Sequence, residues 1–302
     1  MTSPSIRKLR LGFVGLGVMG EPMCANLIRK SGVPVYVHDL DSERLIRAVD
    51  AGAIAVDSVE AVGAEADVIF LSLPSIVQVE AVCASLLDLG RPILVVDMST
   101  SDVARTRLLA ERLAAANIQF VDAPVARTKE AAVQGTLFIS VGGSHELFET
   151  VQPFLAHMGS DVLHCGDVGC GQIVKVLNNM MALMTINALS EILTIGRRAG
   201  MDGKQLFDAL ARSSADSFIL RNHGMKCLVP DSFPEKAFPV DYAIKDASTA
   251  LQLAEQVDFH PRIARYTHDV LCTAQEAGYG LNYHPVVIRV VDGRVASTLG
   301  EL

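Results

Sequence analysis

The sequence predicts a doubly wound α/β domain followed by an all-helical one, with the division at about residue 165. Three observations carry this. Short β-rich runs alternate with helical patterns up to that point, which implies βαβ units and a mostly parallel sheet. After Gly171 strand signals nearly vanish, and a long, mostly apolar helical pattern begins. Residues 13–20 read Phe-Val-Gly-Leu-Gly-Val-Met-Gly, an apolar run that delivers three glycines into a turn before a helix. The expected domains are 1–165 and 166–302. A chain of 302 residues, half of them apolar, has length and apolar content for about two cores.

In chain order, strands are expected at 11–16, 33–38, 68–73, 93–97, 120–122, 137–142 and 161–164, each a short run rich in β-branched or aromatic residues. Apolar residues at helical spacing place helices at 42–51, 77–87 and 103–116, and Met23, Leu27 and Ile28 share one face of a helix after the glycine turn. In the second half helices are expected at 172–198, 203–212, 240–255 and 261–277. No repeat and no low-complexity tract interrupts this order.

The glycine turn has a specific chemistry. Gly15 permits the tight turn, Gly17 lets the backbone approach a pyrophosphate, and Gly20 allows close packing of helix on strand, as in Rossmann-type domains. The loop Gly15, Leu16, Gly17, Val18, Met19 and Gly20 would hold the pyrophosphate at a helix N-terminus, where the dipole favours negative charge. Asp39 ends the second strand nineteen positions after Gly20. A carboxylate there accepts hydrogen bonds from the adenine ribose hydroxyls and repels a 2′-phosphate. Leu40 follows, where an NADP-dependent protein often has arginine, so NAD is the expected cofactor. Asp39 could alternatively cap the next helix, but Ser42 is the more natural cap for a helix beginning near Glu43.

Composition excludes other classes. A net charge of −8 argues against a nucleic-acid binder. The six cysteines, Cys24, Cys83, Cys165, Cys170, Cys227 and Cys272, form no C-x-x-C pair and no metal-ligand spacing, as expected of reduced thiols in a cytoplasmic protein. The eight histidines show no H-x-x-H or H-E-x-x-H spacing, so no metal site is expected. No N-terminal segment joins basic residues to a long apolar core, and no apolar run approaches the ~20 residues of a membrane span. A soluble, cytoplasmic protein without a membrane partner is expected. Ser72, Ser75 and Ser99 lie near strand ends, but none is flanked as a nucleophile would be.

The long helix carries the remaining chemistry. Lys175, Asn178 and Asn179 break its apolar pattern at i, i+3 and i+4, so they share one face. Two readings stand for the lysine: its stem snorkels and its ammonium stays in solvent, or it is the acid/base of a hydride-transfer reaction. Burial would lower its pKa from ~10.4 towards neutrality, where one group can serve both directions. The two asparagines could orient the substrate or the lysine without adding charge. Met180, Met181 and Met184 form a stripe that reads as core or subunit contact, and Ser217, Phe218 and Asn222 form a polar break that could close over a substrate.

Five ordered motifs resemble the β-hydroxyacid dehydrogenases, the family that includes 3-hydroxyisobutyrate dehydrogenase and tartronate semialdehyde reductase. They are Gly15-Leu-Gly-Val-Met-Gly-Glu-Pro-Met-Cys-Ala-Asn26-Leu; Leu71-Ser-Leu-Pro74 with Asp97-Met-Ser-Thr100; Asp122-Ala-Pro-Val125 with Gly135-Thr-Leu137; Gly171-Gln-Ile-Val-Lys175-Val-Leu-Asn178-Asn179; and Asp241-Tyr-Ala-Ile-Lys245-Asp246. The resemblance covers essentially the whole chain. It implies that Lys175 is the catalytic lysine and Asn179 supports it. It implies that Leu73 and Pro74 line the adenosine half of the cofactor, that Thr100 lies beside the nicotinamide, and that Lys245 reaches over the cofactor in a closed cleft. It further implies a long interdomain helix and a homodimer or homotetramer built through the helical domain.

One departure bears on the substrate. The family pattern after Asp-Ala-Pro-Val is Ser-Gly-Gly, whereas this chain has Ala126-Arg127-Thr128. An arginine fork there would bind a carboxylate, sulfonate or phosphonate by paired, charge-assisted hydrogen bonds; the alternative is a surface residue on an ordinary loop, and the position inside the substrate motif favours anion binding. The same pattern is similar to that of the sulfolactaldehyde reductase branch, which implies that Arg127 and Asn178 contact the anion; Thr128 and the Ser99 and Thr100 hydroxyls are further candidates for that end. Where that branch has a serine one turn after Asn178, this chain has Ala182.

The expected function is NAD-dependent interconversion of a small anionic β-hydroxy acid, or a sulfonate analogue such as dihydroxypropanesulfonate, and its semialdehyde. Alternatives are reduction of a linear semialdehyde such as succinic semialdehyde, or a non-catalytic NAD-binding protein. The Lys175-x-x-Asn178-Asn179 face speaks against the last. It also speaks against the imine reductases, relatives that normally lack the lysine.

Overall fold

The computed structural model describes residues 9–235 and 237–296. The chain forms two compact units, Met1–Lys175 and Val176–Leu302, against an expected division at 165. The outer ends of the expected domains, 1–8 and 297–302, lie outside the described residues.

The first unit alternates strand and helix: β1 (Leu11–Val14), α1 (Gly20–Ser31), β2 (Val35–His38), α2 (Ser42–Asp50), β3 (Ile54–Ala55), α3 (Val59–Glu65), β4 (Val68–Leu71), α4 (Ile76–Leu86), β5 (Ile93–Asp97), α5 (Val103–Ala114), β6 (Ile118–Asp122), β7 (Val125–Ala126), α6 (Lys129–Gln134), β8 (Leu137–Gly142), α7 (His145–Leu155) and β9 (Gly159–Gly166). The nine strands seen among the described residues form one sheet in the order β3-β2-β1-β4-β5-β6-β8-β7, with β9 on β8. The first six in that order are parallel, whereas β8 runs antiparallel to β6 and β7 and parallel to β9. This is the doubly wound arrangement the alternation predicted.

Strands β1, β4 and β5 are buried at every position, which is why they read as continuous apolar runs rather than alternating ones. Phe13 and Phe70 stack at 6.3 Å on one face among Met23, Leu27 and Val96. On the other face Val14, Ile69, Leu71 and Val95 pack with Val62, Val79 and Leu109. Two strands were not anticipated, β3 and β7, each only two residues long; such short pairs leave no periodicity to read. The helices α3, α6 and α7 were likewise not delimited from sequence. One cap is corrected: Asp41, not Ser42, caps α2, its carboxylate accepting the Glu43 and Arg44 amides, while Ser42 is the first residue inside.

The helix α8 (Cys170–Arg198) starts in the first unit and continues through the second. Among the described residues it alone is long and apolar enough, by length and composition, to cross a membrane, a property its scattered polar residues hid from a search for an uninterrupted run. Its Leu183, Ile186, Leu189 and Leu193 are core residues of the second unit, packed with Phe207, Leu220, Val240, Val270 and Leu271. That unit continues with α9 (Gly203–Leu210), a π-helical segment at Leu220–Leu228, α10 (Val240–Gln256), α11 (Arg262–Ala274), a further π turn at Gln275–Tyr279, and α12 (Ile288–Val291) behind a 3₁₀ turn at His284–Val287. Its only strand-like pairings among the described residues are two isolated bridges, Glu235 with Asn282 and Pro239 with Tyr283.

Candidate functional site

The strand register brings the expected cofactor residues of the first unit to one edge. Val14 is level with His38 and Leu71, Leu71 with Asp97, and Asp97 with Asp122. The loops that follow these positions carry Gly15–Gly20, Asp39, Leu73–Pro74 and Ser99–Thr100, all at the carboxyl ends of parallel strands. The strand order turns between β1 and β4, the place where open α/β sheets bind ligands.

The glycine loop fits a dinucleotide. Gly15 has φ +93°, a conformation open to glycine, and donates to the His38 carbonyl at 3.1 Å. Helices α2 to α7 are all capped by a side chain, from Asp41, Ser58, Ser75, Asp102, Thr128 and Ser144. At α1 no side chain caps the N-terminus, which leaves that end to an anion. Among the described residues, the space a Cβ would take at Gly17 contains only the tip of Arg44, 3.9 Å away. Asp39 is not a helix cap: its Oδ2 accepts the Leu16 N–H at 2.5 Å and its Oδ1 the Asp41 N–H at 2.8 Å. These bonds fix the carboxylate beside the loop, with the Arg44 guanidinium 4.0 Å away. Val18 is two-thirds exposed and Leu40 almost fully so.

Behind the edge lies a buried polar cluster around two strand-final carboxylates. Asp97 and Asp122 are fully buried. Asp97 accepts the Ser99 N–H and the Ser101 hydroxyl, each at 2.9 Å. Asp122 accepts the Gly169 and Gln172 amides at 2.7 and 2.8 Å and so holds the start of α8. Burial pushes both carboxyls up to about 6, against the pull of these hydrogen bonds, and the charge of Asp97 adds to the rise at Asp122. Both residues stood in motifs quoted above; strand-final position was the only signal for them.

These raised values set a pH dependence. With a native pKa near 6 and an unfolded value near ~3.9, the native state binds protons first as pH falls, so the pair adds stability on acidification from about 7 to about 4. Asp97→Asn cannot ionise and keeps an acceptor for Ser99. It is expected to be about 1–3 kcal/mol more stable than the parent at pH 8, with a flatter pH dependence. Thermal unfolding at pH 5 and pH 8 checks this, and an unaltered slope removes Asp97 as its source.

The substrate candidates are placed unevenly. Ser99 is buried, its hydroxyl accepting the Leu73 N–H at 2.9 Å and so bracing two strand ends. Thr100, next to it, is half-buried. Thr128 is exposed and its hydroxyl caps α6 through the Ala131 N–H. Arg127 is exposed, and its guanidinium donates to the Thr136 carbonyl at 2.6 Å and the Ser160 hydroxyl at 3.0 Å, with Asp161 at 3.6 Å. Its φ of +88° is a glycine-favoured conformation held by a residue with a Cβ.

Lys175 is half-buried, one turn beyond Gln172 on α8. In the second unit, Asn178 donates to Asn179 at 3.3 Å and Asn179 to Asp246 Oδ2 at 2.7 Å. Asp246 is buried, and Lys245 Nζ stands 3.4 Å from its Oδ1 and 5.6 Å from the Tyr242 ring centre. Asp246 is thus a partner of Asn179 that the sequence analysis quoted without a role. Asn222 bonds to Phe218 and Lys226 within its own helical segment. Among the described residues no group of His, Cys, Asp and Glu has the makings of a metal site.

Known proteins resemble this chain along most of its length. Residues 10–166 match the family model described as the NAD binding domain of 6-phosphogluconate dehydrogenase, and residues 169–291 match that described as NAD-binding of NADP-dependent 3-hydroxyisobutyrate dehydrogenase. The chain is 34% identical over 254 residues to 2-(hydroxymethyl)glutarate dehydrogenase of Eubacterium barkeri, covering 83% of this chain and 84% of that one. It is 33% identical over 255 residues to 2-hydroxy-3-oxopropionate reductase of Escherichia coli K12, covering 82% and 85%. Its fold is similar to the solved structure of 3-hydroxyisobutyrate dehydrogenase from Mycobacterium tuberculosis with L-serine, at a TM-score of 0.87 and 25% identity over 94% of this chain and 99% of that one.

Proposed function

The chain belongs to the β-hydroxyacid dehydrogenase family and is a nicotinamide-dependent 3-hydroxyacid dehydrogenase, and from that premise we propose that it interconverts a small anionic β-hydroxy acid, or its sulfonate analogue, and the matching semialdehyde with NAD. The observation that carries this reading is Lys175, one helical turn past a glutamine bonded to the backbone on either side of Thr100. When bound, the nicotinamide supplies the hydride acceptor or donor. Lys175 Nζ takes the substrate hydroxyl proton in oxidation and returns it in reduction. Thr100 would border the nicotinamide, and Leu73 and Pro74 would border the adenosine. By the family resemblance, Asn179, which bonds to Asp246, would support the lysine, and Lys245 would serve the cofactor. Asp39 accepts from the ribose hydroxyls and disfavours a 2′-phosphate, which supports NAD over NADP.

Arg127, with Thr128 and Asn178, reads the anionic end of the substrate. The support is its position in place of a family glycine and the strained backbone it keeps there. To reach an anion, the guanidinium exchanges Asp161 and its neighbours for the ligand. Arg127→Ala is expected to raise KM about 10–100-fold with little change in kcat. Arg127→Gly should show the same KM defect with a higher Tm, because the φ strain of about 1 kcal/mol is relieved. Steady-state kinetics and thermal melts check both, and an unchanged KM leaves Arg127 as a brace between Thr136 and Ser160.

A homodimer or homotetramer is the proposed assembly. Supporting it, α8 exposes Leu177, Met181, Ile192 and Ile195, apolar surface that water disfavours. The free cysteines fit the proposed cytoplasmic setting. The test of function is NADH oxidation and NAD⁺ reduction, with NADP(H) alongside, across four substrate types: sulfolactaldehyde and dihydroxypropanesulfonate; 2-hydroxy-3-oxopropionate and 3-hydroxyisobutyrate; 2-(hydroxymethyl)glutarate; and succinic semialdehyde. Preference for the sulfonate pair makes Arg127 a sulfonate reader. Preference for a carboxylate makes it a general anion clamp. Cofactor binding without turnover on any of them overturns the substrate class.

A further inference from the structure

Gln172 lies in the first turn of α8 with no exposed surface. Both ends of its amide are engaged: Oε1 accepts the Ser101 N–H at 3.0 Å and Nε2 donates to the Ser99 carbonyl at 2.8 Å. The two bonds bracket Thr100 from either side. The same turn is fixed from two further strands. Asp122 on β6 accepts the Gln172 N–H, and Ser140 on β8 donates its hydroxyl to the Gly171 carbonyl at 3.0 Å. The approach is close, since a Cβ on Gly171 would stand 2.8 Å from Asp122 Oδ2.

Burying an amide is costly unless each polar atom finds a partner, and an apolar side chain here would strip the buried Ser101 N–H and Ser99 carbonyl of these bonds. Gln172 meets the condition with two backbone groups of a single loop, so what it adds is a fixed geometry between that loop and α8. Acid/base catalysis is sensitive to such geometry: a misplacement of about 1 Å can cost about 10²-fold.

We propose that Gln172 is a positioning residue, a two-point clip that locks the Lys175 turn of α8 to the Ser99–Ser101 backbone around Thr100, so that the proton-transfer group and the strand end beside the nicotinamide move as one piece. The proposal rests on Lys175 being the acid/base. It makes Gln172 act on turnover rather than on cofactor affinity.

Three variants test it together. Gln172→Met keeps length and apolar bulk but loses both bonds; its kcat is expected to fall about 10–100-fold, with substrate KM and NADH affinity, read by fluorescence titration, within about threefold of the parent. Gln172→Glu keeps an acceptor for Ser101 but, when ionised, opposes an acceptor to the Ser99 carbonyl. Protonated, its hydroxyl restores the missing donation. Charged groups near this turn among the described residues are the carboxyls of Asp97 and Asp122, the Lys175 side chain, and the Arg107 guanidinium on the Val168 carbonyl; the two carboxyls favour the protonated form and the cations oppose it. Its kcat relative to the parent at the same pH should therefore climb on acidification from pH 8 towards pH 6, a rise that Gln172→Met, which gains no proton there, should not show. Lys175→Ala is run in parallel. An unchanged kcat in Gln172→Met beside a dead Lys175→Ala overturns the clip alone. Loss of NADH affinity in step with kcat overturns it in favour of general disruption. An active Lys175→Ala removes the acid/base reading, and the clip falls with it.

Discussion

Lys175→Ala is expected to fold and bind NADH as the parent does while turnover drops by about two to four decades. The side chain is half-buried on a long helix, where alanine is well tolerated, so stability should change little. What disappears is the only function assigned to the ammonium: moving the proton of the substrate hydroxyl as hydride moves to or from the nicotinamide. The competing reading, a lysine whose ammonium merely rests in solvent, expects almost no change. Steady-state kinetics with fluorescence-detected NADH binding separates the two. A small primary amine added to the variant should restore part of the rate if proton transfer is what was lost. Retained turnover ends the assignment.

What the sequence disclosed, and what it did not, divides by range along the chain. The glycine loop and Asp39 were legible because their chemistry needs fixed spacing over a short stretch, with a strand before and after. β1, β4 and β5 were legible because burial on both faces makes a continuous apolar run. Two-residue strands such as β3 were not, since they exist through pairing with a neighbour and carry no pattern of their own. The clip around Thr100 was invisible for a similar reason: Gln172 meets Ser99 across 73 positions and Asp122 across 50, and no local rule joins them. Arg127 was half-legible. The arginine in place of a glycine was plain, but its +88° φ and its hold on Thr136, Ser160 and Asp161 came only with the fold. Ser42 was displaced as a cap by Asp41 because, with the chain entering α2 one residue earlier, a carboxylate there reaches two amides.

Gly20→Ala is the substitution expected to damage the first unit most. Gly20 is buried at the first position of α1, and a Cβ there would collide with the Gly15 carbonyl oxygen and lie 3.2 Å from Ser72 Cβ. The Gly15 backbone cannot readily move aside, because its N–H is tied to His38 and it already occupies a glycine-favoured φ. The helix must therefore lift from the sheet, at a cost of about 2–4 kcal/mol, or a Tm lower by roughly 5–15 °C. The same lift withdraws the uncapped helix end from the pyrophosphate, so NADH affinity should fall by about 100-fold or more. Gly32→Ala is the matched control. Gly32 also has a positive φ, +67°, but a Cβ there meets nothing within 4 Å among the described residues, so its cost is backbone strain alone, about 1 kcal/mol, with cofactor binding intact. If the two variants melt alike and bind NADH alike, close approach at Gly20 is not what shapes the loop. If Gly20→Ala alone loses the cofactor, the spacing of the third glycine is set by contact between helix and strand, as its place in the motif requires.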